Sequence, residues 1–352
     1  MRRVIYIVKD KDNAQFRYRV CNVVEAMEGS KSWRVGYCLL NEIGDIDELL
    51  GHVNLIVVAR QTAKDDAVLN LINRAHRNNI KVLFDLDDLV FSYRYLAVLM
   101  RATNSKNIFY WLGYFWGIRR IAKKVDGFIA TNDFLGRKLE QSFKKPCRVI
   151  PNSLNRRQIE ISEDCLKRKS HDGFVIGYFS GSPTHAKDFQ MVEPELVRFL
   201  ENSDDVKLEV VGYMKFSSRM KKWIRKGRVK IRGVVDYLEL QKLMARVDVN
   251  IAPLVISDFT NCKSELKFFE AAIVETVTIA SPTYPFKEAI KDGENGFLAR
   301  SGEWYGKLKC LYGNPEKNKK VVKYARECAL KSYFGEEFLR RVEEAYDFFV
   351  DD

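Results

Sequence analysis

Short continuous apolar runs alternate along this chain with stretches in which apolar residues return every three or four positions. In the first half, RVIYIV, VNLIVVAR, IKVLFDLD, DGFIATN and CRVIPNS are such runs, as expected of strands buried on both faces. Between them, FRYRVCNVVEAME, AVLNLINRAHRNN and DFLGRKLEQSF carry an apolar stripe at helical spacing. LNRRQIEISEDCLKRKSHDG is polar and lacks a clear period, so 156–172 reads as a linker. The pattern then restarts. FVIGYFSG, VKLEVVG, VKIRGVV, DVNIAPL and VTIASP read as strands, and AKDFQMVEPELVRFLENS, SRMKKWIRKG, YLELQKLMARV and NCKSELKFFEAAIVE as helices. The prediction is α/β: two doubly wound Rossmann-like domains, 1–155 and 173–332, facing a central cleft. Ligands belong outside the carboxyl ends of their strands.

The length of 352 residues suits two domains, and 22 Phe and 16 Tyr can fill two cores. Seven cysteines without a C-x-x-C pair read as free thiols in a reducing compartment. The four histidines make no ligand spacing with them, so no metal is expected. The apolar run in MRRVIYIVKDKD is shorter than a signal peptide needs, and no run reaches the roughly 18 residues of a membrane span. The expected location is the cytoplasm. A net charge of +12 changes the picture more, because it calls for an anionic partner. Nucleic acid, an acidic membrane face and phosphorylated small molecules are the classes that fit.

Two stretches offer anion chemistry. In FVIGYFSGSPTHAKDF a strand ends in small residues, Ser180, Gly181 and Ser182, and a helix follows with Lys187 in its first turn. Unpaired N–H groups and a partial positive charge at that helix start suit a phosphate. A plain strand-to-helix turn fits equally. In NCKSELKFFEAAIVE, read as one helix, Lys263, Lys267 and Glu270 share a stripe. Two lysines at i, i+4 repel, and a diphosphate held with Lys187 would relieve them. The alternative is a solvated Lys267–Glu270 pair.

The order of IGYFSGSPTHAKDF, VKIRGVVDYLELQKLMARVDVNIAPL and NCKSELKFFEAAIVETVTIASPTYPFKEAIKDGENGFLA resembles the donor domain of GT-B glycosyltransferases. Within them it is most similar to glycosyltransferase family 4 of the bacterial surface-polysaccharide type. The resemblance implies a retaining transfer from a nucleotide diphosphate sugar, without metal or cofactor. It implies a last helix, 333–352, that crosses back to the first domain. It places Glu270 on the ribose and Lys187 on the diphosphate, with Ser180, Gly181, Ser182, Lys263, Ser264 and Lys267 around the donor. The family's first Glu falls at Cys262, its diphosphate Arg at Gly181, and its Gly-x-Pro turn at Glu275 and Thr276. Charge neutralisation then leans on Lys263 or Lys267.

In the first domain, KVLFDLDDLVF ends a strand in Asp85, Asp87 and Asp88. The run resembles the D-x-D of haloacid-dehalogenase phosphatases and that of GT-A transferases. As a cleft-facing strand end of a family 4 enzyme, it would put Asp87 or Asp88 at the chemistry beside Lys187 and Glu270. An acidic helix start is the structural alternative. Arg17, Arg19 and Asn132 are placed where an acceptor phosphate would bind, or else are ordinary polar positions. NIFYWLGYFWGIRRIAKK joins Trp111 and Trp116 to Arg119, Arg120, Lys123 and Lys124. It reads either as a segment lying on an anionic membrane or as a core helix with a basic end. The expected partners are a nucleotide sugar, a lipid-linked glycan acceptor and the inner face of the cell membrane, not nucleic acid. The rival readings are a GT-B nucleotide-sugar epimerase or hydrolase, and a basic nucleic-acid-binding protein.

Overall fold

The computed structural model describes residues 1–11, 13–43, 46–62, 66–103, 105–167, 173–181, 186–212 and 214–351. They form two compact units. The first comprises Met1–Asn155, Cys262–Ser264 and Lys331–Asp352, and the second Arg156–Asn261 and Glu265–Leu330.

The first unit is built on a six-stranded parallel sheet. Its strands are β1 (Arg2–Val8), β2 (Trp33–Leu39), β3 (Leu55–Ala59), β4 (Lys81–Leu86), β5 (Gly127–Ala130) and β6 (Cys147–Val149), in the order β2-β1-β3-β4-β5-β6. The order reverses between β1 and β3, so the crevice of this sheet opens at the ends of those two strands. One face packs Val4, Tyr6, Leu55 and Val57 against Phe338, Val342, Tyr346 and Phe349 of the terminal helix Gly335–Val350. The chain thus returns to its first unit at the end. Gly127 is required by that packing, since a Cβ there would lie 2.2 Å from the Phe349 ring.

The second unit repeats the plan with β7 (Phe174–Ser180), β8 (Val206–Gly212), β9 (Val229–Arg232), β10 (Val249–Ala252), β11 (Val277–Ala280) and β12 (Phe297–Leu298). Their order is β12-β11-β10-β7-β8-β9, and the reversal falls between β7 and β10.

Part of the expected linker is helix Arg156–Lys167 of the second unit. Gln158, Ile161 and Ser162 are buried and Cys165 half-buried, a helical stripe disguised because two of its four members are polar. Residues 168–172 lie outside the described residues.

Helix Asp133–Phe143 ends on Lys144 in the left-handed region (φ 56°), a conformation that costs a side chain about 1–2 kcal/mol. Lys144 is exposed. Glycine there is expected to raise stability by about 0.5–1 kcal/mol after its own entropic cost, seen as a thermal melt a few degrees higher.

Candidate functional site

The backbone separates the two lysines. Asn261–Glu275 is not one helix. A turn of helix, Asp258–Asn261, stops, and helix Leu266–Ala272 starts five residues later. The Asn261 carboxamide accepts the Tyr284 N–H at 2.8 Å, and the Lys263 carbonyl accepts from Asn132 Nδ2 at 2.8 Å. These bonds hold the intervening chain in a non-helical path, so Lys263 and Lys267 do not share a helical face.

The two lysines also differ in chemistry. The Lys263 ammonium pairs with the Asp88 carboxylate within the first unit. Burial works to raise the Asp88 carboxyl, but Lys263 and Arg60 together hold it below the ordinary range. Lys263 is therefore compensated by a carboxylate in this structure. The Lys267 ammonium is buried with no hydrogen-bond partner among the described residues, 4.9 Å from the ring centre of Tyr178 on β7. Burial pulls its pKa down to about 8, against the pull of Asp188 and Glu270. The Lys267 carbonyl accepts from Asn250 of β10 at 2.7 Å. Lys267 thus sits between β7 and β10, where the strand order reverses.

Other groups of the second unit gather there. Glu270 is buried, its carboxylate accepts from Gln158 Nε2 at 3.3 Å, and its carbonyl accepts from Gln241 Nε2 at 2.6 Å. Asp188 accepts the Val255 N–H at 2.9 Å, tying the first turn of helix Ala186–Glu201 to the loop after β10. Lys187 precedes it and is exposed. Ser180 closes β7 and is buried, whereas Gly181 is exposed and a Cβ on it would meet nothing within 4 Å. Ser182 lies outside the described residues. Two residues of the expected donor stretch belong to the first unit: Cys262 is fully buried, and the Ser264 hydroxyl is buried with no hydrogen-bond partner among the described residues. Glu275, where the family's turn carries glycine, adopts φ 52°.

In the first unit, two of the acceptor residues expected from sequence are committed elsewhere. Arg19 is 1% exposed, with Nε and Nη2 each 3.0 Å from an oxygen of Asp85 and Nη1 donating to the Ile150 carbonyl at 2.6 Å. It belongs to the core, because a buried carboxylate at the end of β4 needs a counter-charge. Asn132 caps helix Asp133–Phe143, accepting from the Leu135 N–H, while its amide holds Lys263. Arg17 is half-buried with its guanidinium 4.3 Å from the Tyr18 ring. A cavity of about 260 Å³ opens instead at the reversal between β1 and β3, lined by Lys9, Asp10, Asn13, Gln15, Phe16 and Arg60 among others. Arg60 also pairs with Asp87 at 3.1 Å and Asp88 at 2.9 Å, so the acidic run borders this cavity. Arg60 ends the run VNLIVVAR, and its place at a carboxyl strand edge was the available signal. Among the described residues, no group of three or more His, Cys, Asp or Glu is arranged to hold a metal ion.

Helix Ile108–Lys124 has two faces. Phe115, Ile118 and Ile121 are buried, while Ile108, Phe109, Tyr110, Leu112 and Trp116 are exposed, Phe109 by 83%. Trp111 is half-buried. Its cations divide similarly. Arg119 donates to the Phe91 carbonyl at 3.0 Å and covers the Phe143 ring, so it serves the fold rather than a membrane surface. Arg120 pairs with Asp66 at 2.5 Å and covers Trp116, and Lys123 and Lys124 are exposed. No helix among the described residues is long and apolar enough to cross a membrane.

Comparison with known proteins fixes the fold. Residues 173–314 match the family described as Glycosyl transferases group 1. No curated protein matches in sequence. Among solved structures, Anabaena HepE in complex with UDP is similar over 99% of this chain and 100% of its own, at 15% identity and a TM-score of 0.65. Its complex with UDP-glucose gives a TM-score of 0.62 at 15% identity over the full length of both. Sucrose-phosphate synthase from Thermosynechococcus elongatus gives 0.65 at 14% identity, again over both full chains. The fold is GT-B, and the match to the group 1 glycosyltransferase family lies, apart from Cys262–Ser264, within its second unit.

Proposed function

We propose that the protein transfers a sugar from a nucleotide diphosphate sugar to an acceptor in the synthesis of a cell-surface glycan. The observation that carries this reading is the buried, hydrogen-bond-free ammonium of Lys267 at the strand-order reversal of the second sheet. An ammonium in that state has no hydrogen-bond acceptor, and the similar HepE structures hold a diphosphate, as UDP or UDP-glucose. Lys187 and the helix start behind it add charge from the exposed side. Glu270, already aimed by Gln158, accepts the ribose hydroxyls.

The acceptor enters the polar cavity at β1 and β3, where Lys9 supplies a cation for its phosphate and Arg60 holds Asp87 and Asp88 at the border of its hydroxyls. The acceptor oxygen attacks the anomeric carbon as the C–O bond to the diphosphate breaks, and the charge growing on that leaving group is met by Lys267. Such preorganised charge is usually the largest catalytic term. The family resemblance supports retention of anomeric configuration and a reaction without metal or cofactor. The exposed aromatic face of helix Ile108–Lys124 supports a lipid-linked acceptor taken from the inner face of the cell membrane.

A thermal-shift panel of UDP, GDP, dTDP and ADP on the wild type and Glu270→Ala tests the reading. One nucleotide is expected to stabilise the wild type by several degrees and to lose that effect in the variant. Indifference to all four would refute it.

A further inference from the structure

Between Val210 and Val235 the sequence holds nine lysines and arginines and no acidic residue. Two of these cations are used internally. Arg228 donates to the Leu200 and Val206 carbonyls, and Arg232 pairs with Glu209. Arg219, Lys221, Lys222, Arg225, Lys226 and Lys230 are all exposed, on helix Ser218–Arg225, the turn after it and β9. Four other helices carry exposed mixed-sign pairs, Arg157–Glu160, Lys242–Glu239, Lys319–Glu316 and Arg340–Glu344. A solvated face gains from such pairs, and these six cations make none among the described residues.

We infer that the face formed by helix Ser218–Arg225 and β9 docks the second unit onto an anionic lipid bilayer. Two further features select lipid over nucleic acid. Ile231 and Val234 are 45% and 54% exposed beside the cations, offering apolar side chains to an acyl boundary. Among the described residues, the aromatic rings of this stretch are turned to the core: Trp223 is 6% exposed and lies 4.9 Å beneath Lys226 and Arg228, and half-buried Phe216 packs edge-to-face on Phe189. Trp223 has no open face to stack on a base, which single-strand binding would need. The surface is separate from the aromatic face of helix Ile108–Lys124, which belongs to the first unit. It also involves no residue assigned to donor or acceptor.

Sedimentation with vesicles of phosphatidylcholine, alone or mixed with phosphatidylglycerol, tests the inference. Each cation near an anionic surface is worth about fivefold in partitioning. The variant K221S/K222S/R225S/K226S is expected to bind the mixed vesicles at least ~100-fold more weakly. Ile231→Ser with Val234→Ser is expected to weaken the same binding several-fold. Both should keep the wild-type melting temperature and nucleotide-induced shift, which separates this test from that of the donor site. Should the fourfold variant not fold, R225S/K226S is expected to lose about 10-fold or more. Unchanged binding of the folded variants to mixed vesicles would overturn the inference. So would a larger loss of binding to a single-stranded oligonucleotide than to the vesicles.

Discussion

Arg19→Met is expected to destabilise the protein by about 3–5 kcal/mol, because it leaves the Asp85 carboxylate buried without its counter-charge. The guanidinium is bidentate, both side chains are 1% exposed, and water cannot replace the lost bonds. The loss should depend on pH. Burial pushes the Asp85 carboxyl up to about 6 even with Arg19 opposing it, whereas an unfolded aspartate titrates near ~3.9. A carboxyl raised on folding contributes stability that is fully present below the unfolded value and lost as pH rises through the folded one. Without Arg19 the folded value climbs further, so the loss continues through neutral pH. Denaturant melts at pH 5 and pH 8 should therefore show a smaller penalty for Arg19→Met at pH 5. A penalty below about 1 kcal/mol, or one equal at both pH values, would contradict the buried-pair account.

Lys267→Met should separate stability from activity. Removing an ammonium that is buried without a hydrogen bond is expected to stabilise the protein by about 0.5–2 kcal/mol. The same change removes the charge placed to meet the leaving diphosphate, and kcat should fall roughly 10²–10³-fold. The wild type should also gain stability between pH ~8 and ~10.4, because its Lys267 pKa of about 8 lies below that of an unfolded lysine. The variant should lack that gain. If Lys267 were merely structural, the substitution would lower the melting temperature and spare kcat.

The architecture was readable because parallel strands buried on both faces leave unbroken apolar runs, and every sheet strand named from sequence is found. The return of the last helix came from family resemblance, and Phe338, Tyr346 and Phe349 show the apolar stripe that effects it. The site was less legible, for reasons of geometry. Periodicity joined Lys263 to Lys267, but two hydrogen bonds, from Tyr284 and Asn132, break that helix, and neither partner is near in sequence. Arg19 looked like a ligand-binding cation because sequence shows charge and not the buried carboxylate opposite it. Arg119 was hidden in the same way by a carbonyl and an aromatic ring. Glu270 was named from its helical stripe and from resemblance, and the glutamines that orient it come from distant segments.

Calorimetric titration at pH 8.5, using the nucleoside diphosphate that gives the largest thermal shift, tests the role of Lys267 most directly. Run in buffers of different ionisation enthalpy, it counts protons taken up on binding. With a pKa of about 8 before binding, Lys267 is mostly neutral at that pH and must be protonated to hold the diphosphate. Uptake of up to about three-quarters of a proton is expected in the wild type and none in Lys267→Met. Tight binding without proton uptake, or equal uptake in both proteins, would place the diphosphate somewhere other than Lys267.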